Sequence, residues 1–142
     1  MKPVNADWRA LPAWLLVLCA LLLVWQPISF ALTASTLVDR VAIGGAPLAA
    51  ILVARVLVTA LGIAAGLALI RRRPAAVTLA KTALVASAGM DLIVYTTPYV
   101  PNDRAPGDTP IYVAASLLYH AAWLAYLWRS TRVGDAFGGD RF

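Results

Sequence analysis

The chain has 142 residues, 61% of them hydrophobic and 13% charged, with no glutamate and a net charge of +5. Soluble domains charge about a quarter of their residues, so a full polar shell is excluded and lipid is the expected solvent. The single cysteine, Cys19, excludes an internal disulfide, and cations gathered at the ends of apolar runs fit bilayer orientation rather than nucleic-acid binding.

Four segments meet the roughly 20 apolar residues that a crossing helix needs. The first, "LPAWLLVLCALLLVWQPISFAL" at 11–32, opens like a secretory signal, with "SFA" at 29–31 as a candidate cleavage site. Its apolar core exceeds a signal's usual length, and Trp25 and Pro27 crowd that site, so a retained helix is expected. "LVLC" imitates a lipoprotein box, but Leu18 is too large for the position before the cysteine. Cys19 therefore reads as a packing residue. The connector "TASTLVDRVAIGGA" mixes apolar and charged residues and suits a short interfacial helix. Gly44, Gly45 and Pro47 then predict a hinge.

The second and third spans, at 47–70 and 75–97, are joined by "RRRP", a very tight connection. Pro74 suits the first turn of the third helix, where its missing N–H costs nothing. A proline-rich loop, "TPYVPNDRAPGDTP", leads to the fourth span at 109–128. Lys2, Arg9, Arg71, Arg72, Arg73, Arg129, Arg132 and Arg141 fall on one side of these spans, and only Arg40 and Arg104 on the other. That asymmetry predicts cytoplasmic termini. Trp8, Trp14 and Trp128 mark the inner edge, and Tyr95, Tyr99 and Tyr112 the outer one. The expected architecture is an all-α, integral membrane four-helix bundle, one domain over 1–142.

Arg55, Lys81, Asp91 and His120 lie inside these spans, where each charge costs about 2.5–3.5 kcal/mol at a helix centre. At 1.5 Å per residue, Arg55 lies roughly 12 Å and Asp91 roughly 9 Å below the outer end. Consecutive helices on a short turn pack antiparallel, so Asp91 is expected to neutralise Arg55. Gly62 and Gly66 share the Arg55 face as a G-x-x-x-G step, expected to seat the third helix closely. Lys81 can snorkel to the inner interface. His120, about one turn deeper than Asp91, is expected to share a hydrogen bond with Ser116 or a neighbouring helix; as a proton carrier it would also be well placed.

Tyr112, Ser116, Tyr119, Trp123 and Tyr126 form a stripe on the fourth helix. Helix packing explains it; Tyr112, Tyr119, Trp123 and Tyr126 are also candidates for lining a lipid or ligand groove. No cofactor or metal is expected: haem lacks a second histidine ligand, and a metal site lacks ligands. No catalytic pair or nucleophile–base spacing stands out.

The stretch "WLAYLWRSTRVGDAF" resembles the C-terminal signature of the domain of unknown function 2569 family. That family closes with a tryptophan, a tyrosine, a serine, an Arg-Val pair and a phenylalanine, here Trp123, Tyr126, Ser130, Arg132, Val133 and Phe137. The opening "AWLLVLCALLLVWQPI" is similar to the family's Trp-Leu with a later proline, here Trp14, Leu15 and Pro27. "LPA" replaces the glycines usual before the tryptophan, and Ala136 stands where threonine is usual. The resemblance implies a multi-pass protein of the bacterial inner (cytoplasmic) membrane and supplies no chemistry. Ser130, Arg132 and Phe137 then read as a juxtamembrane anchor, with Arg132 on lipid phosphates or helix-end carbonyls.

Three functions are consistent with this pattern. A structural or accessory subunit of a larger membrane complex needs only a stable bundle. A small dimeric transporter or proton-coupled carrier would use Asp91 and His120. A membrane enzyme would need convergent polar groups in a groove. Lipid is the expected partner in each case, together with a second copy of the chain or other subunits, and nucleic acid is not.

Overall fold

A computed structural model of the chain describes residues 11–100, 105 and 107–137. These residues are helical almost throughout and include no strand. Lys2, Trp8, Arg9, Arg104, Arg141 and part of the proline-rich loop lie outside the described residues.

Helix α1 (Ala13–Ala20) passes through a π-helical turn, Leu21–Trp25, into α2 (Gln26–Ile70). The π turn has a local cause. Pro27 has no N–H, and its ring collides with the carbonyl one turn back. The chain answers by widening just upstream, where the Gln26 N–H bonds to the Leu21 carbonyl five residues earlier.

Beyond Pro27 the helix does not stop at residue 32. Thr33 and Thr36 return their hydroxyls to the carbonyls of Ser29 and Thr33, and Ser35 bonds to that of Leu32. Self-satisfied hydroxyls do not interrupt a helix in an apolar setting. The segment expected as a separate interfacial helix is thus a continuation of the first rod. It ends at Gly45, whose φ of 65° and ψ of −157° break α2 in a region essentially restricted to glycine. We call the residues before Gly45 the first limb, those after it the second, and this end of the molecule the hinge end.

The limbs lie antiparallel. A Cβ on Gly62 would meet Gln26 Oε1, and one on Gly66 would come within 2.7 Å of Leu23 Cγ. The G-x-x-x-G step therefore seats the first limb, whereas it was expected to seat the third helix. Spacing put both glycines on one face but could not say which neighbour that face meets.

At the opposite end, the arginine end, the Arg72 N–H bonds to the Leu69 carbonyl and the Arg73 N–H to that of Ala68. This pattern places a left-handed residue just past the helix, and Arg72 takes that role at φ 47°. Ala75 is also left-handed, at φ 64°, and α3 (Ala76–Thr96) starts only after it. Pro74 is therefore part of the turn and not of the first helical turn, as had been expected.

Helix α4 (Thr109–Arg129) returns to the arginine end and α5 (Thr131–Ala136) follows Ser130. Ala13–Ile70, Ala76–Thr96 and Thr109–Arg129 are each long and apolar enough to cross a membrane. Lys81 Nζ sits 5.6 Å from the centre of the Trp128 ring, a cation–π arrangement.

Two apolar clusters flank the middle of the molecule. At the arginine end, Leu15, Leu18, Leu22 and Leu69 pack over Ala65, Ala76, Ala80 and Ala83, with Leu127 and Val133. Large side chains on small ones bring backbones close, which drives helix association where lipid removes the hydrophobic contrast. At the hinge end, Leu37 and Leu48 pack with Met90, Val94 and Val100.

Candidate functional site

Between the clusters lies a partly enclosed cavity of about 380 Å³. Every rod contributes to its wall: Trp25, Gln26 and Ser29 from the first limb, Arg55 and Thr59 from the second. Helix α3 adds Ser87 and Asp91, and α4 adds Tyr112, Ser116, Tyr119 and His120. All three residues of the expected polar centre, Arg55, Asp91 and His120, thus face one space.

Their connections differ from expectation. Among the described residues no ion pair joins Arg55 to Asp91. Instead, Ser116 donates its hydroxyl proton to Asp91 Oδ2 at 2.7 Å. Matching depth on two rods does not fix the direction in which each side chain leaves its helix. The serine on α4 lies where the short aspartate reaches. Direct neutralisation of Asp91 by Arg55 is accordingly replaced by a shared cavity.

His120, only 6% exposed, places Nδ1 2.8 Å from the Ser116 carbonyl and 3.4 Å from its hydroxyl oxygen. A carbonyl only accepts, so Nδ1 carries the proton and donates it one turn back along α4. In the neutral ring Nε2 then keeps its lone pair. Tyr119 meets the imidazole edge-on, with ring centres 5.0 Å apart. The order of bonds runs from histidine to backbone and from serine to carboxylate. A histidine-activated nucleophile needs the serine proton aimed at an imidazole lone pair, and this site directs it to Asp91.

Gln26 went unnoticed in the sequence. Its Nε2 donates to Ser87 Oγ at 2.8 Å, linking the first limb to α3. Its Oε1 is buried with no hydrogen-bond donor and lies along the direction a Cβ on Gly62 would take. The glycine hydrogen points toward that oxygen, a weak Cα–H···O contact of the kind found where helices touch closely. A glutamine inside an apolar run, directly before a proline, was the available signal.

The aromatic stripe divides. Tyr112 and Tyr119 line the cavity, whereas Trp123 and Tyr126 pack on the arginine-end cluster. Trp123 also meets Trp14 of α1 edge-on, with centres 6.5 Å apart. The C-terminal segment packs at this end as well. Ser130 turns the chain, Val133 is the side chain buried in the cluster, and Phe137 packs against that cluster. Arg132 remains exposed.

No group of three or more histidine, cysteine, aspartate or glutamate side chains that could hold a metal ion occurs among the described residues. Compared with protein-family models, curated proteins and solved structures, the chain matches none.

Proposed function

We propose that the chain is a four-span inner-membrane protein, a carrier that binds a small polar solute in its cavity, acting as a dimer with both termini cytoplasmic. One observation carries this reading. Arg55, Asp91, Ser116 and His120 converge on a common cavity within segments apolar enough to cross a membrane. Buried ionisable groups are costly in lipid and mark solute or proton paths. The Gly45 break supports four crossings, because it divides Ala13–Ile70 into two limbs, each of crossing length. The Lys and Arg asymmetry supports the orientation, and the motif from Trp123 to Phe137 supports membership of the domain of unknown function 2569 family. A dimer would supply neighbours for α4, most of whose surface is exposed.

A purely structural role in a larger complex is the second reading. Its support is the packed arginine end, which would hold a bundle together without any ligand. The cavity is what such a role leaves without use.

Thiol labelling separates the two. Cys19 is buried, so single cysteines placed in a Cys19→Ala background report cleanly. Ala115→Cys, on the cavity wall, is expected to react in intact cells with a water-soluble maleimide. Leu118→Cys, 72% exposed on the outside of α4, is expected to face lipid and stay inert. Equal inertness at both positions would remove the carrier reading. Asp39→Cys and Arg73→Cys test orientation, the first labelling from outside and the second only after permeabilisation.

A further inference from the structure

We propose that the cavity takes a zwitterion, one small group carrying both a negative and a positive charge, with Arg55 and Asp91 as the two poles of the site. This rests on the reading of the cavity as a ligand site. The two side chains line one cavity and form no ion pair with each other. Both are half-buried, so each has lost part of its hydration with no opposite charge to replace it. A singly charged ligand would satisfy one pole and leave the other exposed. A zwitterion satisfies both at once.

The remaining geometry agrees. Ser116 occupies Oδ2 of Asp91, which orients the carboxylate and leaves Oδ1 as an acceptor for an ammonium group. Arg55 presents the planar donor fork that recognises phosphate or carboxylate. Trp25, Phe30 and Tyr119 add aromatic faces to the wall, suited to an alkylammonium. A volume of about 380 Å³ is at the small end for ligand pockets and fits a headgroup or an amino-acid-sized solute.

The same chemistry is available from water or from a zwitterionic phospholipid. Helix α4 packs on α3, and its arginine-end half meets α1 through Trp123 and Trp14. Nearer the hinge end, Trp25 and Tyr112 stand on the cavity wall with large exposed surfaces, 62% and 45%, so the cavity is bordered by outward-facing aromatic side chains that a lipid headgroup could pass.

The test uses the full chain in mild detergent and a matched set of probes: phosphoethanolamine, inorganic phosphate and ethanolamine. Phosphoethanolamine is expected to bind at least about tenfold more tightly than either probe whose charge is of one sign only, as loss of one charged hydrogen-bond partner implies. Arg55→Gln is expected to remove that advantage while leaving ethanolamine binding in place, and Asp91→Asn to do the reverse with phosphate. Arg55→Lys, which keeps the charge, is expected to retain the preference and guards against a variant that merely misfolds. Native mass spectrometry supplies the lipid arm. Retention of phosphatidylethanolamine over phosphatidylglycerol, lost in Asp91→Asn, assigns the source to the bilayer, and binding of the soluble probe assigns it to water. Phosphate or ethanolamine binding as tightly as phosphoethanolamine would overturn the zwitterion while the cavity still bound a ligand. Failure of every soluble probe, with no selective lipid retention, would overturn it too, and labelling at Ala115→Cys then judges the cavity reading separately.

Discussion

The arginine end and the middle of this molecule are built from the same four rods with opposite results. At the arginine end, leucines of the first limb and Leu69 close over alanines that are fully buried. A few turns away the first limb, α3 and α4 carry Gln26, Ser87, Asp91 and Ser116 instead, and the rods enclose space. Helices in lipid associate through close packing and polar contacts. Here the two means are separated along the axis: packing holds the rods at one end, and in the middle polar contacts, Gln26 to Ser87 and Ser116 to Asp91, join them around an open space.

If this division is right, truncation should hurt most where the packing is. Leu18→Ala, at a fully buried position, is expected to cost about 2–5 kcal/mol in a reversible unfolding titration in mixed micelles. Val58→Ala, on the cavity wall, should cost less than about 1.5 kcal/mol, since space already adjoins it. Comparable losses at the two sites would dissolve the contrast. Next in size is Ser116→Ala, which strips Asp91 of its donor and is expected to cost about 1.5–3 kcal/mol. A double-mutant cycle with Asp91→Asn should then return a coupling of about 0.5–3 kcal/mol.

Gly62→Ala sits at the border of the two regions. Its new methyl would run into Gln26 Oε1, with an expected cost of about 1–3 kcal/mol for overpacking. Combining it with Gln26→Ala makes room and should recover most of that loss, which a simple helix-propensity effect would not do. The smallest change lies outside the contrast, in the arginine turn. Ala75→Gly removes a side chain from a left-handed position and is expected to stabilise by about 1 kcal/mol, read as a small rise in melting temperature.

Helix extents were readable wherever composition changes sharply. Helix α3 (Ala76–Thr96) and α4 (Thr109–Arg129) match the apolar runs between arginine and proline-rich flanks. The first limb was not so readable, because Thr33, Ser35 and Thr36 look like a connector but bond back to their own helix. Asp91 and His120 stood out as polar groups in apolar runs, and Ser116 was a named partner for the histidine. The Arg55 pairing failed for a specific reason. Counting residues gives depth along a rod, whereas contact also depends on rotation about its axis, and that is settled by which neighbour Gly62 and Gly66 admit. Gln26 was missed because an amide carries no charge to draw attention.

The widened turn at Leu21–Trp25 takes up one residue more than an α turn for nearly the same rotation. The surplus is therefore absorbed where it arises: loss of one amino acid inside that turn would let it close to ordinary α winding with Gln26 still toward Ser87. The same loss between Gln26 and Leu37 has no such slack, and at about 100° per residue it would rotate Leu37 out of the hinge-end cluster.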